Sequence, residues 1–284
     1  MNNFAIIADC TSGLNREMRE KYGIDAYVKG RIMFPDGTDH EADLDWEEIS
    51  ADDYYGSMAK DKTMYKTGVV APEIIEEIME PFLKEGRDIL TITLSSGMSN
   101  SYDTYMMAKK HLEEKYPERK VAVVDSLKFS TPNLMLNVKA SEMRTAGADL
   151  EETVAWLEEN KLCLHQIGPM DDLKFLARAG RITNVKAFFG SLVGVNALGD
   201  FAPNGISQIL TNIKGRTRAL KASVEYVKQL IIAPEEQTLY ISHTYREKDA
   251  KDLAEMVRKE IPCRDVVIVR VDMSCGANIG PGMV

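Results

Sequence analysis

At 284 residues, with 44% hydrophobic and 28% charged side chains, the chain is long enough to bury a sizeable core and has the makeup of a folded protein rather than a disordered or fibrous one. Its formal net charge is −9 and its basic residues are scattered, so the electrostatic footprint that attracts a phosphate backbone is missing and nucleic acid is not an expected partner. Nowhere do about 18 apolar residues run together, since the most apolar stretch, 185–202, is broken by Gly190, Gly194 and Gly199 and contains Asp200; no transmembrane segment is expected.

The chain opens on an apolar run, 4–8, that is too short for a signal-peptide core and is closed by Asp9, so it reads as a first β-strand. Segment 71–86 has helical spacing with Pro72 as its first helical residue and Pro81 as a kink or stop. A strand at 89–94, a helix at 101–116 that ends before Pro117, and a strand at 121–124 follow. Short β-branched runs alternating with helices predict an α/β fold with a parallel sheet and crossover helices. A helix at 151–160 closes this part, and a domain boundary is placed near residue 160. Domain 1–160 is then a Rossmann-like α/β unit. Domain 161–284, with strands at 239–242 and 266–271 but fewer β-α-β units, is expected to be α+β with a mostly antiparallel sheet. Cys10, Cys163, Cys263 and Cys275 form no C-x-x-C pair, which argues against a zinc knuckle or redox dithiol and suits small core residues in a reducing, cytoplasmic setting.

Three of the strands run into polar turns: Asp9-Cys10-Thr11-Ser12-Gly13, Ser95-Ser96-Gly97-Met98-Ser99-Asn100-Ser101, and Asp125-Ser126. Ligands of open parallel sheets bind beyond the carboxyl ends of the strands, so these turns should line one crevice. The serine-rich turn offers backbone N–H groups and hydroxyls, donors that suit a carboxylic acid; taken alone, its serines are as readily turn formers and helix caps. No G-x-G-x-x-G or G-x-x-x-x-G-K-[ST] phosphate loop is present, and no cofactor is expected. Gly97-Met98-Ser99-Asn100-Ser101 is a near miss to the G-x-S-x-G nucleophile elbow. The alternative reading is therefore a serine hydrolase, with Ser99 as nucleophile and Asp125 and one of His111, His165 or His243 as partners. The isolated histidines make no metal site.

In order, these turns resemble the DegV family of bacterial fatty-acid-binding proteins. Asp9-Cys10-Thr11 with Leu14 resembles the opening T-D-S-T-x-x-L, and Lys66-Thr67-Gly68 with Ala71-Pro72-Glu73 resembles T-S-Q-P-S-P-E. The run 95–102 is similar to S-S-G-L-S-G-T-Y, Val124-Asp125-Ser126 to V-D-S, residues 171–182 to D-D-L-x-x-L-x-R-G-G-R-I, and Gly280-Pro281-Gly282 to the terminal G-P-G. The resemblance implies two domains with a lipid tunnel between them, a long-chain fatty acid as ligand, and no catalysis by the chain alone; a separate fatty acid kinase catalytic subunit phosphorylates the bound acid. It implies that Thr67, Ser95, Ser96 and Asn278 hold the carboxylate and that Arg181 with Lys214 or Arg216 serves partner docking or phosphotransfer.

Three departures accompany it. Gly68 stands where the family has serine, Asn278 where it has a histidine, and Gly194-Val195-Asn196-Ala197 where it has K-P. An amide donates a hydrogen bond but carries no charge. The acyl chain needs an apolar lining, for which 185–198, with Phe188, Phe189, Leu192, Val193 and Val195, is the candidate and an ordinary core helix the alternative.

Overall fold

A computed structural model describes residues 4–171, 173–182 and 195–284. Strand β1 (Phe4–Ala8) is buried at every position, as a strand covered on both faces must be. Helix α1 (Arg16–Lys21) leads to β2 (Ala26–Tyr27), and then a small antiparallel sheet interrupts the α/β pattern: β3 (Gly30–Met33), β4 (Asp39–Ala42), helix α2 (Ala51–Lys60) and β5 (Lys66–Gly68). The pattern resumes with α3 (Pro72–Lys84), β6 (Asp88–Thr93), α4 (Ser101–Lys115), β7 (Val121–Asp125), α5 (Thr131–Thr145) and α6 (Leu150–Asn160). The main sheet has the order β2-β1-β6-β7, all parallel. Pro81 does not stop α3, which runs on to Lys84.

The second half holds β8 (Gly168–Met170), α7 (Lys174–Ala179), β9 (Val195–Phe201), β10 (Ser207–Lys214), α8 (Arg216–Leu230), β11 (Thr238–His243), α9 (Glu247–Glu260), β12 (Asp265–Arg270) and α10 (Met273–Ile279). Strands β10-β9-β8 form the expected antiparallel sheet. A β-α-β unit is present as well, because β11 and β12 pair in parallel across α9.

Alternation along β1 divides the first core. Ala5 and Ile7 pack with Ile75, Met79 and Tyr105 under α3 and α4. Phe4, Ile6 and Ala8 pack with Leu134, Leu136 and Leu157 under α5 and α6, a cluster that also takes in Val269 of β12. The halves meet again where α10 seats Met273 and Ala277 against Ile32, Tyr54, Tyr55 and Met58. Tyr54 and Tyr55 donate their hydroxyls to the carbonyls of Met273 and Val271 at 3.0 and 2.9 Å, which satisfies two buried O–H groups and fixes the start of α10. Among the described residues no helix is long and apolar enough to cross a membrane.

Candidate ligand site

Parallel alignment of β1, β6 and β7 delivers the three polar turns to one edge. Ser96 N–H bonds Asp125 Oδ1 at 3.1 Å, Ser95 N–H the carbonyl of Lys128 at 2.9 Å, and Ser130 N–H the carbonyl of Thr11 at 2.8 Å, so the turns lace together as the strand order predicts. Helix α10 arrives beside them, with Cys275 Sγ 3.9 Å from the carbonyl of Thr11.

On α10, Asn278 lies one turn beyond Ser274, and its Nδ2 donates to Thr67 Oγ1 on β5 at 3.2 Å and to the Ser274 carbonyl at 3.2 Å. Two residues 211 positions apart are thereby joined, with Thr67 exposed and Asn278 half-buried. The serines divide. Ser95 is fully enclosed; its hydroxyl donates to the Gly205 carbonyl at 2.8 Å and accepts from Gly97 N–H at 3.2 Å. Ser96 is exposed. The tip of the β9–β10 hairpin therefore sits directly on the serine turn. A Cβ on Gly97 would lie 2.2 Å from the Asn204 carbonyl oxygen, and one on Gly205, at φ +76°, 2.1 Å from Ser95 Oγ. Met98 of the same turn shares an apolar cluster with Cys275 and Ile279, which flank Asn278 on α10.

Beneath this surface lie two enclosed acids. Asp272, the N-cap of α10, accepts from Cys275 N–H at 2.8 Å through Oδ1. Burial, with the nearby charge of Asp9 adding to it, pushes its carboxyl up to about 7. Asp9 is raised in the same sense by burial, partly offset by hydrogen bonds from Thr11. The motif at 9–14 pointed to Asp9; nothing in the sequence near Asp272 marked it as a partner. Burial raises the Cys275 thiol as well, so it stays protonated. Of the four cysteines only Cys275 is a core residue; Cys10 and Cys263 are half-buried and Cys163 is exposed.

The three basic residues have different surroundings. Arg181 Nε donates to the Met98 carbonyl at 3.0 Å and a further N–H reaches the Ala179 carbonyl, which ties it to the serine turn. Lys214 is exposed at the end of β10. Arg216 is embraced by Asp249 at 2.8 Å, Asp171 at 2.9 Å and Asn196 at 3.1 Å.

The geometry gives the hydrolase reading no support. Ser99 Oγ pairs with Ser101 Oγ at 2.9 Å, and the histidines are engaged elsewhere: His111 with Glu76, His165 with Asp200, and His243 with the Arg246 backbone N–H. Burial, with Arg270 adding to it, lowers His243 to about 4, so it is neutral near pH 7. A nucleophile needs its base within hydrogen-bond reach, and among the described residues Ser99 has none.

Between the halves lies a cavity of about 150 Å³. Phe129, Pro132 and Met135 come from the first half, and Met170, Phe201 and Ile241 are among those from the second. Phe129, Met170, Leu176, Phe201 and Met283 belong both to the cavity wall and to the packed apolar cluster that includes Met98 and Ile279, whereas Thr67, Ser95, Ser96 and Asn278 do not line the cavity. The stretch 185–198 lies outside the described residues up to 194; from Val195 it is the buried start of β9, where Ala197 and Leu198 are enclosed. Strands β8, β9 and β11 and helices α8 and α9 supply most of the wall, which sequence reading did not find because its residues come from many separate segments.

The DegV family model, described as that of an uncharacterised protein, matches residues 3–284. A DegV domain-containing protein of Clostridium perfringens (strain 13 / Type A) is 29% identical over 282 residues, covering 99% of this chain and 96% of its own. Among solved structures, a DegV family protein from Thermus thermophilus, described by its fatty acid binding, superposes with a TM-score of 0.87 at 21% identity, covering 99% of this chain and 97% of that one. A DegV family protein from Eubacterium eligens loaded with heptadecanoic acid gives a TM-score of 0.83 at 19% identity, with 99% and 97% covered. At these identities the structural likeness establishes the α/β fold described above.

Proposed function

The chain belongs to the DegV family, and from that premise we propose that it binds a long-chain fatty acid between domains 1–160 and 161–284, and presents the carboxylate to a separate fatty acid kinase subunit in the cytoplasm. What carries this reading is a cavity walled largely by apolar side chains of both halves, some of which pack in the same apolar cluster as Met98 of the serine turn and Ile279 next to Asn278. Each buried methylene is stabilised by about 0.8 kcal/mol, so an apolar cavity favours a chain of many methylenes, and the exposed hydroxyls of Thr67 and Ser96 are donors that suit a carboxylate. The Thr67 hydroxyl accepts from Asn278 Nδ2, which orients it and leaves its own O–H to donate outward. Arg181, Lys214 and Arg216 remain the proposed contacts for the partner, with Lys214 the most accessible. The direct test is mass spectrometry of the purified, denatured protein, where a co-purifying fatty acid is expected; an empty protein that also fails to take up added long-chain acid would refute the reading.

Thr67→Val is expected to weaken fatty-acid binding roughly tenfold to hundredfold, the loss of one hydroxyl bond to a charged acceptor, about 1.5–3 kcal/mol. Thermal unfolding should be unaltered, since Thr67 is exposed on the short strand β5. An unchanged dissociation constant would remove Thr67 from the site.

Asn278 cannot titrate, so binding should vary little between about pH 5 and 8. Asn278→His is expected to bind more tightly toward pH 5, where the imidazolium attracts the carboxylate, and to lose that gain by pH 8. Affinities measured across this range for both proteins decide it: a steeper dependence in the wild type would place Asn278 outside the carboxylate pocket.

A further inference from the structure

The tip of the β9–β10 hairpin, residues 202–206, is a self-contained turn: Ala202 N–H bonds the Ile206 carbonyl and Gly205 N–H the Ala202 carbonyl, both at 2.9 Å. Its seat is the serine turn together with the turn that follows β7. A Cβ on Gly205 would meet Leu127 Cα at 3.1 Å as well as Ser95 Oγ at 2.1 Å, and Leu127 is itself held at φ +52°. Glycine at 97 and at 205 thus lets two backbones approach more closely than a side chain on either would allow. Among the described residues a single hydrogen bond ties the tip to the first half, from Ser95 Oγ to the Gly205 carbonyl at 2.8 Å. The strands that carry the tip also wall the cavity, with Asp200 and Phe201 before it and Ser207 and Gln208 after it.

A serine hydroxyl has one proton to donate. While the Gly205 carbonyl holds that proton, Ser95 is 0% exposed and has no donor left for a carboxylate. We propose that the hairpin tip is a latch over the head-group turns, opened when the Ser95 O–H passes from the Gly205 carbonyl to the carboxylate of the ligand, so that empty and loaded protein differ at residues 202–206. The inference rests on the fatty-acid reading above, from which it takes Ser95 as a carboxylate contact. The exchange is favourable because a hydrogen bond to an ionised acceptor is roughly twice as strong as one between neutral groups. The freed Gly205 carbonyl turns to water beside Pro203 and Asn204, which are exposed already. The tip keeps its internal bonds as it swings. Its movement is passed to Phe201 and Ser207 in the cavity wall, which couples capture of the carboxylate to the fit of the acyl chain.

The test follows hydrogen–deuterium exchange over residues 201–208 in the delipidated protein and after saturation with octadecanoic acid, with binding of the acid measured separately by titration. Loading is expected to speed exchange there roughly twofold to tenfold, the effect of removing one neutral hydrogen bond. In Ser95→Ala the latch bond is gone, so the empty variant should exchange at the loaded wild-type rate and the acid should add nothing. Gly97→Ala presses a methyl group against the Asn204 carbonyl and leaves the Ser95 hydroxyl in place. It too should exchange fast when empty, and it should take up the acid faster than wild type by a similar factor. Wild-type exchange that stays constant or slows while the acid binds overturns the latch and leaves the fatty-acid reading standing, as does a Ser95→Ala protein that still responds to loading. Failure to bind the acid would sink both. The wild-type comparison decides the matter even if a variant does not fold.

Discussion

Arg216→Ala is expected to destabilise the protein by about 3–5 kcal/mol, the usual cost of removing one member of a largely buried ion pair and leaving its partners uncompensated. The guanidinium bridges α8, α9 and the segment after β8: Nε to Asp249 at 2.8 Å, Nη1 to Asp171 at 2.9 Å, with Asn196 Oδ1 and the Pro169 carbonyl at 3.1 and 3.3 Å. Its side chain is 21% exposed and that of Asp249 20%. Arg216→Lys keeps the charge but loses the planar fork, so it should recover only part of the loss. Urea unfolding checks this. A variant that unfolds at the wild-type midpoint but supports no acyl-phosphate formation with the proposed kinase subunit would instead make Arg216 a docking residue.

Asp272→Asn is expected to reshape the pH dependence of stability. The carboxyl is held at about 7 in the folded protein against 3.8 when free, so between those values the folded state binds more protons than the unfolded one. Stability contributed by this group therefore falls as pH rises from about 4 to about 7, and levels off above. Asparagine keeps the N-cap and carries no charge. The variant's stability relative to wild type should accordingly climb by up to about 1.4 kcal/mol per pH unit across that interval. Asp9, Cys275, Tyr54 and Tyr55 face the same carboxyl and stay in place in both proteins. Unfolding curves taken from pH 4 to pH 8 that run parallel would show that Asp272 is ionised throughout.

The parallel sheet was legible because β1, β6 and β7 are short runs rich in apolar and β-branched residues and α3 carries one clean apolar stripe, Ile75, Met79 and Leu83. Helix α5 escaped notice because its buried face is studded with polar side chains, Asn133, Asn137 and Ser141, which break apolar spacing; Asn137 Nδ2 satisfies itself on Asn133 Oδ1 at 2.8 Å. The small antiparallel sheet escaped because its strands are four residues or fewer, and β5 is exposed at every position. At the site, the serine turn and Thr67 carried family motifs. The acid Asp272 and the His165–Asp200 pair on the cavity wall carried none, since His165 and Asp200, 35 residues apart, meet only in the folded chain.

Met283 and Val284 belong to the cavity wall. Met283 bridges Met170 and its carbonyl accepts from Thr244 N–H at 3.0 Å, while Val284 N–H reaches the Pro169 carbonyl at 3.3 Å. During synthesis a chain emerges from the ribosome amino end first and begins to fold domain by domain. The parallel sheet and its polar turns can assemble while later residues are still being made, but the cavity wall stays incomplete until Met283 and Val284 have been made and have reached it. The cavity therefore closes late in synthesis, after the sheet that carries the polar turns.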